Sequence, residues 1–166
     1  MLTEYNGEIF NAEKRSGNSI NIWKCVPVDG FDKYTTKRGV TYYQKNVNIG
    51  EVSPFFYVDF HVCYDGIKFG VSSYDGEFLH LICENEAYSK KNNFFEFERG
   101  FWLGAKPISD FSEVIMTTNF VDMPENKIVE CLLIEEFNQK WLRYVVGVEI
   151  GAVETMAHRK TNNQLG

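Results

Sequence analysis

Two Asp-Gly pairs, set ten residues apart at 65–66 and 75–76, constrain the fold of this chain more than any other feature. They lie within FHVCYDGIKFGVSSYDGEFLHLIC, residues 60–83, where apolar and polar side chains alternate. Asp-Gly between alternating segments favours a two-residue type I′ turn, because both central residues of that turn need a positive φ. We therefore expect a three-stranded antiparallel meander in the middle of the chain.

The two turns also predict the pairing register, and the register decides which face of the sheet each side chain occupies. The first turn pairs His61 with Gly70, and the second turn pairs Val71 with His80. His80 then lies on the apolar core face, opposite to the face that carries His61. A shift of one residue in the pairing would exchange the two faces of a strand.

Cys63, Cys83 and the two histidines resemble a set of metal ligands when the sequence is read linearly, but the predicted register separates them. The two cysteines share a face with one strand between them, about 9–10 Å apart at the usual strand spacing. That separation is too large for a disulfide or for a tetrahedral zinc site. We expect all four cysteines of the chain to be reduced thiols, and we expect no metal and no cofactor.

Composition and alternation predict a β-rich α+β fold. The sheet is expected to be mainly antiparallel, either a twisted sheet or a partly open barrel, with one or two helices. Aromatic residues make up 16% of the chain, and such residues favour pleated, half-buried surfaces. Alternating segments predict strands at 19–24, 40–48, 55–63, 67–74, 77–83 and 94–100.

The second half of the chain is harder to interpret from its pattern. Residues 107–118, PISDFSEVIMTT, have apolar side chains at helical spacing and predict a helix. Residues 141–150, WLRYVVGVEI, alternate and predict a strand. Residues 128–137 fit either a strand that pairs with it or a helix, and we favour the hairpin. The chain is expected to form a single domain over 1–154 with a polar tail at 155–166.

The net charge of −6 is unevenly distributed along the chain. Seven acidic residues and one basic residue lie between Pro107 and Gln139, and the rest of the chain is balanced. Lys and Arg are scattered, which argues against nucleic acid as a direct partner because phosphate contacts need clustered positive charge. An acidic surface suits a basic protein partner.

The sequence carries no recognisable secretory signal and no apolar run long enough to cross a bilayer, so we expect a cytoplasmic protein without a membrane partner. Motifs such as G-x-S-x-G, H-E-x-x-H and the P-loop are absent. Asp59 and His61 share a strand face and could form a carboxylate–imidazole pair, although alternate strand residues stand about 7 Å apart. We assign no catalytic residue, and an enzyme that uses this pair is the third hypothesis.

The chain resembles bacterial immunity proteins, the antitoxins that neutralise polymorphic toxins, including those of contact-dependent growth inhibition. The resemblance is one of general character over most of the chain, without a diagnostic motif. It rests on the aromatic-rich stretch FFYVDFHVCYDGIKFGVSSYDGEFLHLIC, on the acids of VECLLIEEF and on the absence of catalytic motifs. It implies a non-catalytic inhibitor that binds one cognate toxin directly, often a basic nuclease.

The candidates for contact with such a partner are acidic or aromatic residues and one histidine: Asp122, Glu130, Glu135, Glu136, Tyr57, Asp59 and His61. Clustered carboxylates would speed the encounter with a basic protein, and aromatic anchors would carry affinity. The alternative is a small-ligand-binding, barrel-like protein in which Tyr57, Tyr74 and His61 line a cavity. The sequence does not identify the toxin, its activity, the contact surface or the oligomeric state.

Overall fold

A computed structural model describes residues 1–148, apart from the side chain of Val146, and the predicted tail at 155–166 lies outside the described residues. The fold is β-rich with antiparallel pairing, as predicted, and the sheet does not close into a barrel over the described strands. The described chain divides into two compact units. The first comprises Met1–Tyr57, Phe120–Pro124 and the described residues from Gln139, and the second comprises Val58–Asn119 and Glu125–Asn138. The assignment of one domain to 1–154 stays a prediction.

The first unit contains five strands among its described residues. They are β1 (Leu2–Tyr5), β2 (Glu8–Lys14), β3 (Ser19–Lys24), β4 (Asp32–Thr35) and β5 (Thr41–Asn48). Their spatial order is β4-β5-β3-β2-β1, and every pair is antiparallel. Phe10, Ile20 and Ile22 lie in its core, where the ring of Phe31 stacks on Phe10 with 5.1 Å between the centroids.

The second unit holds a sheet of seven strands. Strand β6 (Phe56–Tyr64) begins in the first unit, and its residues from Val58 onward belong to the second. The other strands are β7 (Ile67–Tyr74), β8 (Phe78–Cys83), β9 (Phe95–Glu98), β10 (Phe101–Pro107), β11 (Glu113–Phe120) and β12 (Lys127–Leu133). Because the order is β9-β10-β8-β7-β6-β11-β12, β9 and β12 are the two edge strands of this sheet.

Among the described residues two α-helices accompany the strands, α1 (Glu86–Lys91) and α2 (Ile134–Trp141). Short 3₁₀ turns lie at Ile49–Glu51 and Ile108–Asp110, and a π-helical segment, Leu142–Val146, follows α2. Neither described helix combines the length and the apolar composition that crossing a bilayer would require.

The helices cover one face of the second unit's sheet. Phe137 of α2 is fully buried, and its ring lies 5.4 Å from Phe60 and 5.2 Å from Tyr74, measured between centroids. Tyr88 of α1 lies 5.3 Å from Phe69 on the neighbouring strand. Burial of these aromatic rings supplies much of the free energy that holds the helices on the sheet.

Two predicted elements are wrong, and one ambiguous segment is resolved. The helix at 107–118 is absent: a 3₁₀ turn ends at Asp110, and Glu113–Phe120 is a strand whose Val114 and Met116 alternate into the core. The predicted strand at 141–150 is wrong over the residues that the structure describes. Trp141 is the last residue of α2, and the π-helical segment Leu142–Val146 follows it. Residues 128–137 are strand as far as Leu133 and helix from Ile134. The favoured hairpin of this segment with 141–150 is wrong, because β12 pairs with β11.

The first predicted Asp-Gly turn is confirmed. Asp65 and Gly66 both have positive φ, 51° and 74°, and His61 pairs with Gly70 as expected. The geometry required for a type I′ turn is therefore present at this position.

The second Asp-Gly turn differs from the prediction. Gly76 has a φ of 99°, but Asp75 does not have a positive φ, and its carboxylate accepts hydrogen bonds from two backbone N–H groups in the turn. The strand pairing also shifts at a bulge between Val71 and Ser73. As a result Val71 pairs with Leu81, so the predicted Val71–His80 pair is wrong. His80 lies on the same face as His61 and not in the core.

Candidate protein-binding site

The face of the second unit's sheet that is not covered by the helices is the candidate binding surface, and we call it the open face. A single row of cross-strand neighbours runs across it from β6 to β9: His61, Gly70, Ile82, Leu103 and Phe95. This row follows from the observed register, which places Ile82 and not Leu81 beside Gly70. The open face therefore carries an apolar band, in which Ile82 takes the position that the predicted register gave to Leu81.

Asp59 and His61 lie on the open face, since they alternate with the buried Phe60 and Val62 along β6. The exposed carboxylate of Asp59 accepts a hydrogen bond of 3.0 Å from the Asn119 side-chain amide. Within residues 1–148 no hydrogen bond joins Asp59 to His61. The carboxylate is thus oriented by an amide on β11 and does not orient the imidazole.

The imidazole of His61 is half-buried, and its electrostatic surroundings favour the neutral form. Partial burial lowers its pKa from the ordinary value of 6.5, and the nearby Lys68 ammonium lowers the pKa further. The Asp59 carboxylate acts in the opposite direction but has the smallest effect of the three. At neutral pH this part of the open face therefore presents an uncharged imidazole.

Tyr57 and Asp122 belong to the first unit, so the seven predicted contact residues do not form one cluster within either unit. The Tyr57 side chain is 50% exposed. The Asp122 carboxylate is also exposed and lies 3.4 Å from the Lys14 ammonium. An exposed ion pair of this kind contributes little stability, and it partly neutralises the charge that Asp122 offers to a partner.

Glu130, Glu135 and Glu136 lie close together in the chain, from the middle of β12 to the first turn of α2. Glu136 has a structural role as well, because its Oε2 accepts a 2.8 Å hydrogen bond from the backbone N–H of Leu133. Acidic side chains at a helix N-terminus also interact favourably with the helix dipole. The structure thus places three of the predicted residues beside an edge of the sheet.

The same edge strand exposes apolar side chains that were not selected from the sequence. Ile128, Val129 and Leu133 on β12 are 49%, 55% and 64% exposed. β12 pairs only with β11 among the described strands, so one side of its backbone has no strand partner. The sequence signal that could have identified this surface is IVECLLIEE, residues 128–136. It is a mainly apolar run that ends in two consecutive glutamates.

The opposite edge of the sheet carries three further exposed aromatic residues, which we call the β9 aromatic cluster: Phe95 and Phe97 on the edge strand β9, and Phe101 at the start of β10. They are 59%, 48% and 38% exposed. The rings of Phe97 and Phe101 lie 6.5 Å apart between centroids. The alternation in FFEFERG predicted the strand correctly but did not show that its aromatic residues face solvent.

A shallow recess lies on the open face above Gly70, where the missing side chain leaves space next to Ile82. Its volume is about 650 Å³. It is lined by Ile67, Lys68, Gly70, Ile82, Glu84 and Asn85. This combination of aliphatic side chains with one ammonium and one carboxylate is suited to a small amphipathic group.

The two cysteines of the meander lie on opposite faces of the sheet. Cys63 is exposed on the open face, whereas Cys83 is fully buried on the other face, so the prediction that they share a face is wrong. The reason is the shifted register of β8, which turns Leu79, Leu81 and Cys83 inward. All four cysteines are free, and within residues 1–148 no three His, Cys, Asp or Glu side chains are grouped so that they could hold a metal ion.

No protein-family model, no curated protein and no solved structure matches this chain. Function is therefore argued from the chain's own residues: the acidic and apolar edge at β12, the open face, and the β9 aromatic cluster.

Proposed function

We propose that this chain is a non-catalytic inhibitor of the immunity-protein type, which acts in the cytoplasm and neutralises a cognate basic toxin by direct binding. The observation that carries the proposal is the β12 edge, where Ile128, Val129 and Leu133 are exposed beside acidic side chains. Solvent-exposed apolar residues on an edge strand favour aggregation, and proteins usually avoid them unless a partner covers them.

The two kinds of side chain at this edge would have different roles in binding. Burial of the apolar residues against a partner would supply affinity, at about 25 cal/mol for each Å² removed from water. Glu130 and Glu135 would act at longer range, because unlike charges accelerate the encounter and discriminate against acidic proteins. Asp59 on the open face would extend the negative surface away from the edge.

A nuclease is the class of toxin that this charge fits best. A nuclease has to hold the phosphate backbone of its substrate, so its substrate-binding surface is rich in Lys and Arg. An acidic protein surface can occupy the same groups and exclude the substrate. Inhibition would then need no chemistry from the inhibitor.

We expect the gene beside that of this chain to encode a secreted protein that ends in a toxin domain, and that domain is the partner used in the test. We expect the purified chain to bind that domain, to block its nuclease activity and to restore growth when the two are co-expressed. The triple variant Glu130→Gln, Glu135→Gln, Glu136→Gln should associate at least fivefold more slowly at low salt and show a weaker dependence of the association rate on ionic strength. Glutamine keeps a side-chain acceptor at 136 for the Leu133 N–H.

A matched control changes the same amount of charge elsewhere. The variant Glu13→Gln, Asp29→Asn, Asp32→Asn removes three exposed carboxylates from the first unit. Its association rate should stay within twofold of the unmodified chain. Equal slowing in both triple variants would show a general charge effect and would remove the β12 edge from the proposal, and a failure to bind the neighbouring toxin domain would reject the proposal itself.

The recess above Gly70 supports a second candidate function, the binding of a small amphipathic molecule. Since the described sheet is open, such a ligand would lie on its face and not inside a barrel. Thermal-shift screening of the unmodified chain and of the variant Gly70→Leu, whose side chain enters the recess, tests this candidate. A compound that stabilises the unmodified chain but not the variant would favour it over protein binding.

A further inference from the structure

We infer that the β9 aromatic cluster binds the guanidinium or ammonium side chains of an extended basic segment. This goes beyond the β12 contact, because β9 is the opposite edge strand of the same sheet. The site consists of the rings of Phe95, Phe97 and Phe101 together with Glu98, the cross-strand neighbour of Phe101.

Elsewhere in the second unit, lysines of the chain itself lie over two aromatic rings, the half-buried Tyr64 and the buried Trp102. The Lys106 ammonium is 4.7 Å from the centroid of Tyr64, and the Lys90 ammonium is 5.8 Å from that of Trp102. A cation gains free energy over an aromatic face because the ring quadrupole is negative there. Within residues 1–148 no Lys or Arg side chain is found over a ring of the β9 aromatic cluster, so these faces are available to an external cation.

A carboxylate stands beside these rings. Glu98 is the cross-strand neighbour of Phe101, so the two side chains lie on the same face of the sheet. Glu96 pairs with the buried Trp102 and points to the other face, where the backbone N–H of Gly100 donates to its Oε1 at 2.9 Å. A cation over the rings would therefore also interact with negative charge, whereas a neutral apolar segment would leave that charge unpaired.

The same carboxylates argue against two other occupants. A second copy of the chain paired antiparallel along β9 would bring its Glu96 and Glu98 close to the same residues of the first copy, and like charges opposite each other destabilise a strand pair. Single-stranded nucleic acid could stack its bases on the phenylalanines, but its phosphates would be repelled by the glutamates. A basic segment can place its cations over the rings and near the carboxylate of Glu98 at the same time.

The test uses a blocked pentapeptide, Arg-Val-Arg-Val-Arg, and an otherwise identical peptide in which citrulline replaces arginine. Citrulline has nearly the same shape but no charge, so the comparison isolates the cation. We expect the arginine peptide to shift backbone amide NMR signals of residues 94–104 saturably and to bind at least fivefold more tightly than the citrulline peptide. The paired variant Phe97→Leu, Phe101→Leu should lose at least fivefold in affinity while keeping apolar side chains.

The control variant is Tyr34→Leu, which removes an exposed aromatic ring from the first unit and should leave peptide affinity unchanged. Thermal unfolding of each variant establishes that it folds. Equal binding of the two peptides would overturn the inference, as would unchanged affinity in the phenylalanine variant. Tighter binding of an oligouridine than of the peptide, or dimerisation through β9 seen by sedimentation, would also overturn it. Because no toxin is used, these outcomes are independent of the proposed function.

Discussion

The ring of Phe94 occupies the space where a side chain on Gly104 would stand. A Cβ at Gly104 would lie 2.2 Å from Cδ1 of Phe94, although the φ of this glycine is one that other residues adopt. Phe94 is buried and is held there by ring contacts with Phe69 and Tyr88, whose centroids are 6.2 and 6.0 Å away. Glycine is therefore required at this position of β10 by close packing and not by backbone conformation.

We expect Gly104→Ala to lower the free energy of unfolding by about 1–3 kcal/mol, because Phe94 must leave its packed position. Gly70→Ala is the matched control in the same sheet, since its Cβ would meet nothing closer than 3.9 Å. That variant should be neutral or more stable by up to about 1 kcal/mol. Urea denaturation measures both, and equal stability of the two variants would contradict the packing argument.

Phe137 joins α2 to the sheet, so its removal should have a large effect. Phe137→Ala deletes a fully buried ring that contacts Phe60 and Tyr74, and we expect a loss of about 3–5 kcal/mol in the free energy of unfolding. The exposed Phe97 provides the comparison: Phe97→Ala should change stability by no more than about 0.5 kcal/mol. Similar losses in the two variants, measured by denaturant unfolding, would mean that α2 does not depend on this contact.

Asp75 should stabilise its turn through its ionised carboxylate. The pKa of Asp75 lies below its ordinary value of 3.8, chiefly because the backbone N–H of Phe78 donates to the carboxylate, with further contributions from Glu77 N–H and His80. Its stabilising effect is therefore complete above the unfolded-state pKa and is lost as the pH falls through the lower folded-state pKa. At pH 7 we expect Asp75→Ala to cost about 1–2 kcal/mol.

The pH dependence of that difference is the more specific measurement. Stability of the unmodified chain and of Asp75→Ala should converge as the pH is lowered below about 4, since protonation removes the advantage of the carboxylate. The variant Asp75→Asn keeps one side-chain acceptor and should fall between the two at neutral pH. If the stability difference between the unmodified chain and Asp75→Ala stayed constant from pH 7 to pH 3, ionisation of Asp75 would not be the source of the stabilisation.

His61 should destabilise the folded chain when it is protonated. Its folded-state pKa is lower than 6.5, so the unfolded chain binds more protons between the two pKa values, and stability falls as the pH is reduced through that interval. An NMR titration of the imidazole tests the causes directly. Lys68→Gln should raise the pKa of His61, and Asp59→Asn should lower it, because the two charges act in opposite directions. Shifts of the same sign in both variants would be inconsistent with this arrangement.

Much of the sheet could be predicted because its signals are local. The Asp65-Gly66 turn fixed the pairing of β6 with β7, since the positive φ of both residues leaves few alternatives. An equally local signal at Asn6-Gly7, where φ is 52° and 81°, marks the turn between β1 and β2. The residues of the turns are therefore sufficient to predict two hairpins, β1–β2 and β6–β7.

The errors occurred where tertiary packing competes with local pattern. The Asp75 side chain binds backbone N–H groups of its own turn, and the bulge beside Val71 then shifts the register of β8. No periodicity in the sequence reveals a bulge, although it decides whether His80 faces the core. In β11, Ile115 fits a helical stripe and a strand equally well, and the neighbouring strands decide the outcome.

The candidate site was less predictable than the sheet. Asp59, Glu130 and Glu135 could be selected because charge is visible in a sequence, but the exposed state of Ile128 and Phe95 depends on their positions in edge strands. Strand order is a long-range property that alternation does not encode. The apolar half of the surface was therefore missed.

The two different edges of the second unit also bear on how the protein behaves at high concentration. If β12 of one molecule were to pair with β9 of another, the contact would join unlike surfaces and would leave a free edge at each end, so growth would continue as a fibre and not stop at a dimer. Glutamates on both edges oppose such growth through charge repulsion, which weakens as the pH approaches the isoelectric point near 5.1. Mildly acidic buffers are thus the conditions in which storage of this protein calls for the most care.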